Sequence, residues 1–154
     1  MIQRIQTIFL LIAALLMGIA SFFPLIEFVG KNDIVQVLYS WGIGTELGKI
    51  SYPTWGILTF SIIGFLMPVI NIFLYKKRKL QINIGWLTVV AIVIYYITMA
   101  VYFLYYMKTI VSGSMIPSCQ FALVLPFIAL IFNVLAILRI KKDEKLVKSL
   151  NRIR

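Results

Sequence analysis

Histidine is absent from the 154 residues, and cysteine occurs once, at Cys119. An intrachain disulfide is therefore impossible, and there is no set of thiolates or imidazoles from which a metal centre could be built. Acids are nearly as scarce. The five are Glu27, Asp33, Glu46, Asp143 and Glu144, and the first three share one turn-rich stretch, where carboxylates are ordinarily solvated. A nucleophile needs an activating base, and neither an imidazole nor an embedded carboxylate is present to supply one. No catalytic, cofactor-binding or metal-ligating residue is nominated, no cofactor is expected, and the chain is expected not to be an enzyme.

Charge of either sign is also sparse. Only 13% of residues are charged and 62% are hydrophobic, far from the balance of a soluble domain. A water-soluble fold of this size could not bury so much apolar surface. The apolar residues fall in four runs, 5–23, 53–75, 82–106 and 120–140, and Arg139 is the one charged residue inside any of them. At about 1.5 Å per residue the runs reach roughly 28 to 38 Å, which matches a hydrocarbon core of about 30 Å. The reading is an all-α membrane protein, a single domain over residues 1–154 built as a bundle of four transmembrane helices. Pro24 stops the first run, Ser51 reads as a cap and Pro53 as a first-turn proline of the second, and Pro68 and Pro126 read as kinks. Gly18, Gly56 and Gly64 permit close helix approach. Gly18-Ile19-Ala20 has the small-x-small form of a signal cleavage site, but the apolar run continues through Phe22 and Phe23, so the helix is expected to be retained.

Positive charge sets the orientation. Of the fifteen basic residues, three (Lys31, Lys49 and Lys108) fall in the loops 24–52 and 107–119. The other twelve fall in the N-terminal segment, the link 76–81 and the end of the chain from Arg139, including the tail 141–154. By the positive-inside rule the second group is cytoplasmic, which puts both termini inside. The chain is thus expected in the bacterial inner (cytoplasmic) membrane, as a multi-pass protein in contact with anionic lipid at its cytoplasmic face. Aromatic residues agree: Phe22, Phe23, Trp55, Tyr105 and Tyr106 lie at outer ends, Tyr75 and Trp86 at inner ends.

Within the 24–52 loop, 25–29 and 34–39 are β-prone runs joined by Gly30-Lys31-Asn32-Asp33, which has turn chemistry. A small β-hairpin is expected over the outer end of the bundle, followed by Trp41-Gly42-Ile43-Gly44. It is either an edge for docking a partner or a cap over helix ends, and the cap is favoured. The layout is similar in arrangement to claudin-like proteins, whose cysteine-bearing loop motif is absent here.

The polar residues inside the runs are uncharged. Asn71 and Asn133, near the inner ends of the second and fourth helices, could hydrogen-bond across the bundle. Tyr95, Thr98, Tyr102 and Tyr105 form one stripe on the third helix, and Ser61 reaches about the depth of Thr98. Interhelical bonding is the favoured role, and a polar-lined cavity for lipid or substrate is the other. With no acid, lysine or arginine in the spans except Arg139 at the very end of the fourth, a proton-coupled transporter or an insertase using a buried arginine is disfavoured.

In the tail, Leu146, Val147, Leu150 and Ile153 recur at helical spacing, and Glu144 to Lys148 is a favourable pair. A basic amphipathic helix is expected there, lying on the inner membrane surface. Docking on a protein or on ribosomal RNA is the minority reading, and nucleic acid is otherwise not expected as a partner. Lys76, Lys77, Arg78 and Lys79 of the link, with Lys141, Lys142, Lys145, Lys148, Arg152 and Arg154 of the tail, are the candidate contacts for anionic lipid or a partner.

Three segments carry a family resemblance. The opening Met-Ile-Gln-Arg-Ile-Gln-Thr, the link Tyr-Lys-Lys-Arg-Lys-Leu-Gln-Ile over 75–82 and the ending from Ile140 to Arg154 resemble an uncharacterised four-helix membrane protein family of the Bacteroidota, domain of unknown function 4293. The resemblance implies an inner-membrane protein of a Gram-negative cell and carries no activity. The functional expectation is a non-enzymatic accessory or structural subunit of an inner-membrane complex with a membrane-protein partner. The alternative is a small-molecule or lipid carrier using the stripe on the third helix.

Overall fold

The computed structural model describes residues 2–30, 35–45, 50–75, 77–109 and 116–151. Lys76, Arg152, Ile153, Arg154, the loop residues Glu46 and Lys49 and the turn at Lys31, Asn32 and Asp33 lie outside the described residues, as do the side chains of Arg4, Lys148 and Leu150. Four helices, α1 (Ile2–Phe22), α2 (Trp55–Phe73), α3 (Arg78–Thr109) and α4 (Leu125–Asn151), are long and apolar enough to cross a membrane. Each packs on its neighbour in sequence, and α1 closes the ring against α4.

The buried positions explain that packing. On α2 they are Ile57, Ser61, Gly64, Pro68 and Asn71; on α3, Gln81, Gly85, Thr88, Ile92, Tyr95 and Met99 recur at alternating steps of three and four. Such a seam holds helices at shallow crossing angles. Apart from Ile57 the α2 seam is made of Ser61, Gly64, Pro68 and Asn71, while Ile62, Phe65, Leu66, Ile70 and Phe73 face outward. This reverses the arrangement of a water-soluble helix and suits one whose outer solvent is hydrocarbon.

A five-stranded antiparallel sheet caps the end of the bundle away from the termini, in the order β4-β3-β2-β1-β5. Strands β1 (Ile26–Val29), β2 (Val35–Leu38), β3 (Gly42–Thr45) and β4 (Ile50–Pro53) come from the α1–α2 connection, and β5 (Ile116–Cys119) comes from the α3–α4 connection. The expected hairpin is β1–β2, with Ile26 opposite Leu38 and Val29 opposite Val35. Ile26, Leu38, Ile43 and Tyr52 pair in register across β1 to β4 and form one row on the sheet. The first three are buried with Phe28 against Tyr95, Met99 and Tyr106 of α3, so sheet and bundle share one core.

Three boundaries differ from the sequence reading. Ser51 and Pro53 belong to β4, and α2 starts at Trp55. Thr54 stands just before it, and its hydroxyl donates to the carbonyls of Tyr39 and Ser40, both at 3.1 Å, so this side chain secures the sheet. Pro126 is the second residue of α4, where a missing N–H has no partner to lose, and it starts the helix where a kink was expected. Finally, α4 runs unbroken through Ile140 to Asn151. No glycine or proline interrupts residues 127–151, so the described part of the tail continues the fourth helix. Similarly, Arg78 and Lys79 form the first turn of α3.

Candidate functional site

Three places gather the polar residues. The first is inside the bundle. Asn133 of α4 donates its Nδ2 hydrogen to the Gly85 carbonyl of α3 at 2.9 Å. Asn71 of α2 approaches the same glycine from the other side: its Nδ2 lies 3.6 Å from where a β-carbon on Gly85 would stand. Both asparagines are fully buried, but they meet at Gly85 without bonding to each other, because the Asn71 amide has no hydrogen-bond partner. Gln81 adds a bond from its Nε2 to the Asn71 main-chain carbonyl at 3.2 Å. Ser61 turns toward α1, away from the stripe on α3. Its hydroxyl lies 2.6 Å from that of Ser21, which donates to the Met17 carbonyl at 2.9 Å, so Ser61 is the donor within the pair.

The second place is the end that carries the termini. Asp143, buried on α4, accepts a hydrogen bond from the Gln6 side chain of α1, and its main-chain carbonyl accepts one from Arg78 Nη1 at 3.1 Å. Three helices are tied there, and of the tying residues the sequence reading singled out Arg78 alone, as a contact for anionic lipid or a partner; Gln6 and Asp143 were not singled out. Around this knot Lys77, Lys79, Lys141, Lys142 and Lys145 are exposed. The ammonium of Lys141 sits 5.3 Å from the centre of the Trp86 ring, a cation–π contact at the base of α3. Five cations are exposed at this end, one of them over an aromatic residue of the type that marks a membrane boundary, an arrangement suited to anionic groups.

The third place lies under the sheet. Along the α3 stripe, Tyr95 is fully buried, Thr98 and Tyr102 are half-buried, and Tyr105 is 62% exposed. Thr98 donates to the Ile94 carbonyl of its own helix. A β-carbon on Gly56 would come within 3.1 Å of Thr98 and 3.2 Å of the Tyr102 ring, so α2 lies directly against the stripe at this depth. Beyond that contact a cavity of about 170 Å³ opens between the sheet and α3, lined by Ile43, Tyr52, Pro53, Tyr102, Tyr105 and Tyr106. Tyr106 is held by Phe28 at 5.0 Å and by Tyr52 at 6.3 Å, edge to face. A second, wholly uncharged groove of about 270 Å³ runs between the end of α1 and the start of α4, past Ile19, Phe23, Phe121 and Leu125. Among the described residues no three His, Cys, Asp or Glu side chains gather as a metal site would require.

The family described as Domain of unknown function (DUF4293) matches residues 2–153. The chain belongs to this family. The match spans bundle and sheet together, so the five-stranded cap lies within the family domain. No curated protein matches the chain.

Proposed function

We propose that the protein is a non-enzymatic accessory subunit of an inner-membrane complex, with both termini cytoplasmic and the sheet on the outer side. The observation that carries this reading is the outer edge of β4, the last strand of the sheet among the described residues, with Ile50 to Pro53 all exposed. A strand edge offers unpaired main-chain donors and acceptors to an extended segment of another chain. The partner that fits is a membrane protein presenting an extended outer segment to β4. At the other end the exposed lysines on α3 and α4 lie against anionic headgroups, which favour positive charge on the cytoplasmic leaflet.

The test places a photoreactive residue at Ser51 in the native host and recovers crosslinked material in mild detergent for mass spectrometry. One membrane protein, crosslinked at Ser51 and not from a control position at Lys79, is the expected result. Recovery of the chain alone from both positions would overturn the proposal.

A further inference from the structure

The cavity under the sheet has the features of a ligand site, and they define what it would take. None of its six lining residues is charged, and four are tyrosines, so a charged headgroup entering it would lose its hydration without a counter-ion. Aromatic walls favour a flat ring by stacking, and phenol hydroxyls can donate to oxygen acceptors. The Tyr106 hydroxyl is buried away from this space, whereas Tyr105 is largely exposed and can offer its hydroxyl at the rim.

Position narrows the class further. Trp86 and Tyr105 stand about 28 Å apart along α3 at about 1.5 Å per residue, close to the thickness of a hydrocarbon core. With Trp86 and Lys141 at one boundary, the cavity mouth at Tyr105 falls at the other. There the ring of an amphiphile would sit while its tail stayed among lipid chains. A volume of about 170 Å³ is below the range of about 300 to 1,000 Å³ usual for whole drug-sized ligands, so it suits a head and not an entire lipid.

We propose that this cavity binds the uncharged, oxygen-bearing ring of a membrane amphiphile of the quinone class, stacked among Tyr52, Tyr102 and Tyr106 with Tyr105 at the mouth. The site shares Tyr52 and Pro53 with β4, but it needs no partner protein.

The test uses the full chain purified into phosphatidylcholine nanodiscs with radiolabelled decylubiquinone. Saturable binding is expected, displaced by unlabelled quinone but not by equal amounts of dioctanoylglycerol or phosphatidic acid. Tyr105→Phe keeps the ring and should weaken binding about fivefold, the factor one lost hydrogen bond carries. Lys141→Gln, at the far end, should leave it unchanged. Tyr105 is exposed, so its variant tests the site without disturbing the core. Non-saturable partitioning, equal displacement by either lipid, or undiminished binding by the Tyr105→Phe protein would each overturn the assignment. Because no partner is present, failure here leaves the crosslinking result at Ser51 untouched.

Discussion

Gly85 of α3 lies directly beneath Ile137 of α4: a β-carbon on the glycine would come within 2.6 Å of Ile137 Cγ1. Gly64 of α2 stands in a comparable relation to Met17 of α1, whose Cε would be 2.5 Å away. The two clashes should have different consequences. Ile137 is β-branched and held in one rotamer by the helix, whereas Met17 has three rotatable bonds and can withdraw. Gly85→Ala should lower stability by about 1 to 2 kcal/mol, overpacking outweighing the gain in helix propensity. Gly64→Ala should stay within about 1 kcal/mol of the original. Thermal unfolding of both variants in one detergent decides it, and equal losses would contradict the difference in side-chain freedom.

The two buried asparagines should also separate. Asn133→Leu removes the bond to the Gly85 carbonyl and should cost about 0.6 to 2 kcal/mol, the range for such bonds between membrane helices. Asn71→Leu removes an amide whose two polar atoms are unpartnered and should leave stability unchanged or raised, since an unmade bond has nothing to lose. If Asn71→Leu proved the more damaging in the same unfolding assay, its amide would have to be engaged.

These contrasts mark how far the sequence could be read. The four helices were legible because long runs free of Asp, Glu and Lys have few alternatives in a chain this apolar. The β1–β2 hairpin was legible because β-prone runs flank Gly30-Lys31-Asn32-Asp33, and such signals are local. Strand β5 was not: Ile116-Pro117-Ser118-Cys119 contains a proline and does not alternate, and it is a strand only because β1 lies beside it, with Ile26 opposite Cys119. Strand β4 was hidden by Pro53, which suits a first helical turn as well as a strand end. Strand β3 was not expected in the glycine-rich stretch after the hairpin, yet Gly42 is required there by contact, since a β-carbon would come within 2.7 Å of Ile50 on β4. The α3 stripe was legible from its spacing, whereas the cavity beyond it depends on Ile43 and Tyr52 arriving from the sheet.

The knot at Asp143 yields a prediction about coupling. Gln6 bonds the carboxylate, whereas Arg78 bonds the main-chain carbonyl, which survives any substitution of the side chain. Asp143→Ala should lower stability by about 1.5 to 3 kcal/mol, because a charge-assisted bond is lost and a buried amide is stranded. In double-mutant cycles the Gln6→Ala and Asp143→Ala pair should couple strongly, and the Arg78→Ala and Asp143→Ala pair less so. A reversal of that order would mean that Arg78 acts mainly on the carboxylate.

Cys119 offers a direct test of orientation. It is the chain's single cysteine and lies exposed on β5, at the end of the bundle away from the termini. Twelve of the fifteen basic residues belong to the other end, and positive charge is retained on the cytoplasmic side during insertion. An impermeant maleimide added to intact spheroplasts should therefore label Cys119. A Lys77→Cys substitution in a Cys119→Ser background should be labelled only after the membrane is permeabilised, and Lys77 is exposed enough to react. Exchanging Arg78 and Lys79 for glutamine should shift some molecules toward the inverted pattern, since it removes two of the link's positive charges. Labelling at position 77 and not at Cys119 in intact spheroplasts would put the sheet in the cytoplasm and remove the outer docking edge with it.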